Sequence, residues 1–158
     1  MEKLTAAEKA AKRKRRLNMK ALPSLIVSSL LALTVLAATA WAGPKEEEAV
    51  KAAEAWLKLV DGGHYKESWS GAANFFKERV KEEDWIKMID LARKPFGEVV
   101  ERKLLKASYA TALPGAPDGE YVVIQFQTAF SKKKNSIETI TPMKDADGQW
   151  RVSGYFIK

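Results

Sequence analysis

The sequence predicts an α+β domain, with N-terminal helices packed on a bent four-stranded antiparallel sheet. Three observations carry this. Apolar residues recur at helical spacing between residues 43 and 93, they alternate from Val99 onward, and Gly/Pro-rich breaks separate the alternating runs. Gly43-Pro44 opens the first helix, since proline suits a first-turn position and Glu46-Glu47-Glu48 favour the positive end of the helix dipole. Ala49, Ala53, Trp56, Leu57 and Val60 give it one apolar face, and Asp61-Gly62-Gly63 ends it. A second helix runs from His64 to about Ser70 and resumes after Gly71 from Ala72 to Val80, with Phe76 and Val80 inward. A third covers Glu82 to Arg93, with Trp85, Met88, Ile89 and Ala92 on its buried face, and Pro95-Phe96-Gly97 stops it.

The strands are expected at Val99–Tyr109, Tyr121–Phe130, Ser136–Met143 and Trp150–Ile157. Pro114-Gly115-Ala116-Pro117-Asp118-Gly119, Lys132–Asn135 and Asp147-Gly148 turn the chain between them. In the second strand Val122, Ile124, Phe126 and Phe130 share one face. In the fourth, strict alternation puts Trp150, Val152 and Phe156 inward and Arg151, Ser153, Tyr155 and Ile157 outward.

Residues 1–42 form a separate segment. Lys12 to Arg16 and Lys20 precede an uncharged run from Ala21 to Ala38, and Ala40-Trp41-Ala42 ends it. A charged start, an apolar middle and an A-x-A exit make a secretory signal peptide, with cleavage expected after Ala42. The product is expected to be periplasmic or secreted. Two alternatives stay open. Met19 is a second candidate start, which makes residues 1–18 an upstream extension or a misassigned start. An uncleaved leader is the other: about 20 apolar residues just span a bilayer, which gives an inner-membrane protein anchored at its N-terminus.

The charge of +7 belongs to this leader. It holds eight Lys/Arg and two Asp/Glu, whereas residues 43–158 hold nineteen and eighteen. The expected domain, 43–158, therefore has no surplus for phosphate, and no nucleic-acid partner is expected. The absence of cysteine excludes disulfides, thiolate metal sites and a cysteine nucleophile. His64 is the only histidine and sits in a Gly-Gly-His turn, so it reads as a polar turn residue rather than a base. Ser68 and Ser70 lie in an aromatic helix without a G-x-S-x-G elbow. Glu82-Glu83-Asp84 is explained by its helix start, and Lys132-Lys133-Lys134 by a solvated hairpin tip. No metal and no cofactor are expected.

Two side-chain sets remain. Trp56, Tyr65, Trp69 and Tyr109 are the candidate pocket: inward aromatics, three of them with polar tips placed to orient a small apolar ligand. Tyr121, Val123, Arg151 and Tyr155 are the candidate interface on the outer sheet face, where Tyr and Arg occur without acids. That face is expected to pair two protomers or dock an envelope partner.

Ala55-Trp56-Leu57, Tyr65 with Ser68-Trp69, Pro95-Phe96-Gly97, the run Leu113 to Tyr121, and Trp150-Arg151-Val152-Ser153-Gly154-Tyr155 resemble the DUF4019 family. The resemblance implies a small exported bacterial domain and brings no catalytic residues. The helix-then-sheet order is also similar to the nuclear-transport-factor-2-like or cystatin-like cone, which hosts binders, isomerases and interaction modules alike. The expected function is thus an exported, non-enzymatic module of the bacterial envelope that binds a small ligand or a protein. One alternative is a cone-fold acid–base enzyme of isomerase type on an apolar substrate. It requires a buried Asp or Glu near a Tyr, and Asp90 is the nearest candidate. The other alternative is an anchored component of an envelope complex, with membrane contact only through an uncleaved leader.

Overall fold

The computed structural model describes residues 43–158, and the expected signal peptide lies outside the described residues. Helix α1 (Pro44–Asp61) opens with Pro44 in its first turn and acids at Glu46 and Glu47, and it buries Ala49, Ala53, Trp56, Leu57 and Val60. Gly62 closes it by donating its amide to the Lys58 carbonyl at 3.1 Å. The short α2 (Tyr65–Ser70) and α3 (Asn74–Arg79) follow, then α4 (Glu82–Arg93). Among the described residues no helix is long and apolar enough to cross a membrane.

Strands β1 (Val99–Ala110), β2 (Tyr121–Phe130), β3 (Ser136–Lys144) and β4 (Trp150–Ile157) form one antiparallel meander in the order β1-β2-β3-β4. Helix α1 contacts all four strands. Its buried face meets Val122, Ile124, Phe126, Ile140 and Val152, and Trp85 and Ile89 of α4 join the same core. Each such side chain contributes about 1.5–3 kcal/mol by leaving water.

Strand β4 departs from strict alternation. Thr141 pairs with Gly154 but Pro142 pairs with Val152, so Ser153 is an extra residue and β4 carries a bulge. One inserted residue reverses the parity beyond it. Trp150 and Val152 face the helices as expected, but Tyr155 also turns inward, its ring 5.6 Å from that of Trp56. Phe156 turns outward and is 61% exposed. The placement of Tyr155 and Ile157 on the outer face and of Phe156 in the core is therefore corrected.

Helix α4 brings a second correction. Trp85 and Ile89 are buried, but Met88 is half exposed and Ala92 is exposed. The C-terminal Arg93 is buried in their stead.

Candidate functional site

The bulge creates the first candidate site. By turning Tyr155 inward, it leaves the end of β4 beneath α4, one layer from Met88 and Ala92. Between them lies an open groove of about 320 Å³ lined by Phe76, Trp85, Met88, Ile89, Ala92, Tyr155, Phe156 and Ile157. The lining is mainly apolar. Its aromatic wall is fixed: Phe76 meets Trp85 edge-on at 5.2 Å, and Trp85 leans on Trp56 at 5.7 Å. Both indoles are anchored on one serine. Trp85 donates Nε1–H to the Ser68 hydroxyl at 2.9 Å and Trp56 donates to the Ser68 carbonyl at 2.7 Å. Ser68 is thus a buried bracket for two tryptophans, which accounts for a serine in an aromatic helix.

A polar cluster backs this wall. Glu138 of β3 is fully buried. It accepts hydrogen bonds from Arg93 at 3.0 Å, Arg102 at 2.7 Å, the Tyr155 hydroxyl at 2.7 Å and the Thr128 hydroxyl. Asp61, at the end of α1, bridges the same two arginines at 2.8 and 2.7 Å. Arg93 also lies 4.6 Å over the ring of Phe130. Burial pushes the Tyr155 phenol far above the usual tyrosine range, and neighbouring Glu138 adds to it. Burial acts to lower the pKa of Arg102, but hydrogen bonds to Asp61 and Glu138 overcome it and leave the guanidinium above its ordinary value. The Glu138 oxygens are both engaged, so no lone pair is left to take a proton from a substrate. The geometry supplies the buried acid beside a tyrosine that acid–base chemistry requires, and at the same time occupies it.

The four expected pocket aromatics are not brought together. Trp56 is buried in the core. Trp69 donates to the Val80 carbonyl at 2.7 Å and packs against the core. Tyr65 lines a separate, polar groove of about 310 Å³ with Asp61, Asp90 and Arg93. Partial burial there raises its pKa, with the Asp90 charge adding to it. Tyr109 lies at the opposite end of α1, where Lys45 stands 4.5 Å over its ring and Glu120 accepts from its hydroxyl. Lys45 depresses the Glu120 pKa, and Glu120 in turn raises that of Lys45. Asp90 is exposed and stands on that polar groove, not in the apolar one. His64 is exposed at the start of α2.

The expected interface set is likewise divided. Tyr121 is fully buried under its own loop and donates to the Pro117 carbonyl at 2.6 Å. Arg151 is ion-paired with Asp145 at 3.1 Å and Asp147 at 2.7 Å within the β3–β4 turn. Tyr155 is inside. Val123 alone of the four is half-buried on the outer face without such a partner.

The family model described as protein of unknown function (DUF4019) matches residues 52–155. The chain belongs to the DUF4019 family. The matched segment of this DUF4019 protein holds every member of the Glu138 cluster and the groove as far as Tyr155. No curated protein matches the chain. Among the described residues of the DUF4019 domain, no group of three or more His, Cys, Asp or Glu is placed to hold a metal ion.

Sequence reasoning passed over Glu138, Arg93 and Arg102. One signal was present: in Ser136–Lys144, Glu138 has the same parity as Ile140, which faces the core.

Proposed function

We propose that this DUF4019 protein is an exported, non-enzymatic binding module of the bacterial envelope, and that its ligand is small and apolar. Support for the ligand comes from one observation: an apolar groove with rigid aromatic walls opens beside the hydrophobic core. Its volume of about 320 Å³ falls at the lower end of what ligand sites use. Support for export comes from the leader pattern of residues 1–42. Support for a non-enzymatic role comes from the Glu138 cluster, in which each acid and each guanidinium is already paired.

The test is fluorescence of a phenylnaphthylamine dye, which brightens in apolar sites. Wild-type protein is expected to bind it. Ala92→Trp places an indole into the groove from an exposed position and is expected to weaken binding by at least about tenfold, ~1.4 kcal/mol. The same protein recovered from the periplasm is expected to begin at Gly43 by mass. A wild type that leaves the dye dark, or an Ala92→Trp variant that folds and binds equally, refutes the groove reading.

A further inference from the structure

We infer that two copies of this chain join through the open end of β4, making one continuous sheet across a two-fold axis at Phe156. The inference rests on the backbone of β4 and does not depend on what fills the groove.

Ile137 and Lys158 exchange both backbone hydrogen bonds, at 3.0 and 3.1 Å. In an antiparallel pair such exchanges recur every second residue. Gly154 and Phe156 therefore also address β3, and Tyr155 and Ile157 point their N–H and C=O groups away from the sheet. Upstream, the outward carbonyl of Val152 is met by the Ala73 amide at 2.9 Å. Among the described residues nothing bonds the backbone of Tyr155 or Ile157. Four adjacent backbone groups thus stand in a row at a sheet edge.

The two edges of this sheet are treated differently. β1 is broken by irregularities at Val100 and Leu105 and carries Lys103 and Lys106. Bulges and edge lysines discourage pairing. From Gly154 to Ile157, β4 is unbroken: its bulge lies upstream at Ser153, and the one lysine, Lys158, stands at the end of the stretch. Exposed apolar groups stand here: Phe156 at 61% on the strand itself and Met88 at 50% across the groove from it.

A second copy fits because the edge is self-complementary. With the axis at Phe156, Tyr155 of one copy faces Ile157 of the other, and all four backbone groups of each copy are paired. Phe156 meets the second copy's Phe156 as a non-hydrogen-bonded pair, the type in which side chains approach closest. Lys158 falls opposite Gly154, so no like charges meet. The α4 helices then lie on the same face of the joined sheet, with Met88 toward the seam. This is an isologous interface, in which each contact occurs twice.

Sedimentation of the full chain over a wide concentration range tests this. The wild type is expected at twice the chain mass. Phe156→Lys sets two ammonium groups against each other at an exposed position and is expected to halve the mass with the melting temperature little changed. Ile157→Pro removes an outward amide, touches no bond to β3, and is expected to do the same. A monomeric wild type overturns the inference, with or without a bound peptide. A dimer that survives both substitutions also overturns it and moves the interface elsewhere.

Discussion

Asp147 holds the β3–β4 turn from two sides. Its carboxylate accepts from Arg151 at 2.7 and 2.8 Å and from the Gln149 amide at 3.1 Å. Arg151, and then the Gln149 amide, hold its pKa down at about 2, against an ordinary value of 3.8. Depression in the folded state makes the ion pair stabilising above the unfolded value and lost as pH falls from 3.8 toward 2. The carboxylate is fully exposed, so the effect is one of local order, weakened by salt. Carbon NMR titration of Asp147 is expected to give a midpoint near 2 in the wild type and a return toward 3.8 in Arg151→Ala. A wild-type midpoint at the ordinary value means that Arg151 does not hold Asp147 in solution.

At the scale of the element, the junction between α4 and β1 depends on Gly97. Its φ is +77°, in the left-handed region, and a Cβ there strikes the Ser131 hydroxyl. That hydroxyl is committed, since it accepts from the Glu98 amide at 3.1 Å, while the Lys132 amide bonds Phe96 at 3.0 Å. Gly97→Ala is expected to cost about 1–3 kcal/mol in urea unfolding. A neutral result means that the Lys132 hairpin moves aside freely. The stop at Pro95-Phe96-Gly97 is legible in the sequence because glycine and proline act locally. The buried face of α1 and the inward set of β2 are legible because burial follows the period of the backbone. The bulge in β4 is not, because a single extra residue is set by pairing with β3, and Gly154 inside the strand is its only local sign. Every error in placing Tyr155 and Phe156 follows from that one residue. Met88 and Ala92 read correctly as apolar helix positions, but whether such a face is covered or left open depends on where β4 ends beneath it.

For the molecule as a whole, the Glu138 cluster ties its parts together. Asp61 comes from α1, Arg93 from α4, Arg102 from β1, Thr128 from β2, Glu138 from β3 and Tyr155 from β4. Among the described residues each strand and both long helices contribute one residue, and these residues are scattered from 61 to 155. No local pattern in the sequence announces a set of this kind, because only the closed fold gives its members a common neighbourhood. Two acids face two guanidinium groups, so the cluster is balanced, and removing the charge at its buried centre, Glu138, leaves the others uncompensated. Glu138→Gln keeps the volume and removes the charge at the centre. It is expected to lower stability by about 3–5 kcal/mol, seen as a lower urea midpoint with an unchanged slope. Replacing Arg93, Arg102 and Glu138 together by Met, Leu and Leu is expected to recover much of that loss, since apolar packing does not require desolvating charges. If the single variant loses less than about 1 kcal/mol, water reaches the cluster. If the triple variant is worse than the single one, the hydrogen bonds from Thr128 and Tyr155 carry more of the stability than the charges do.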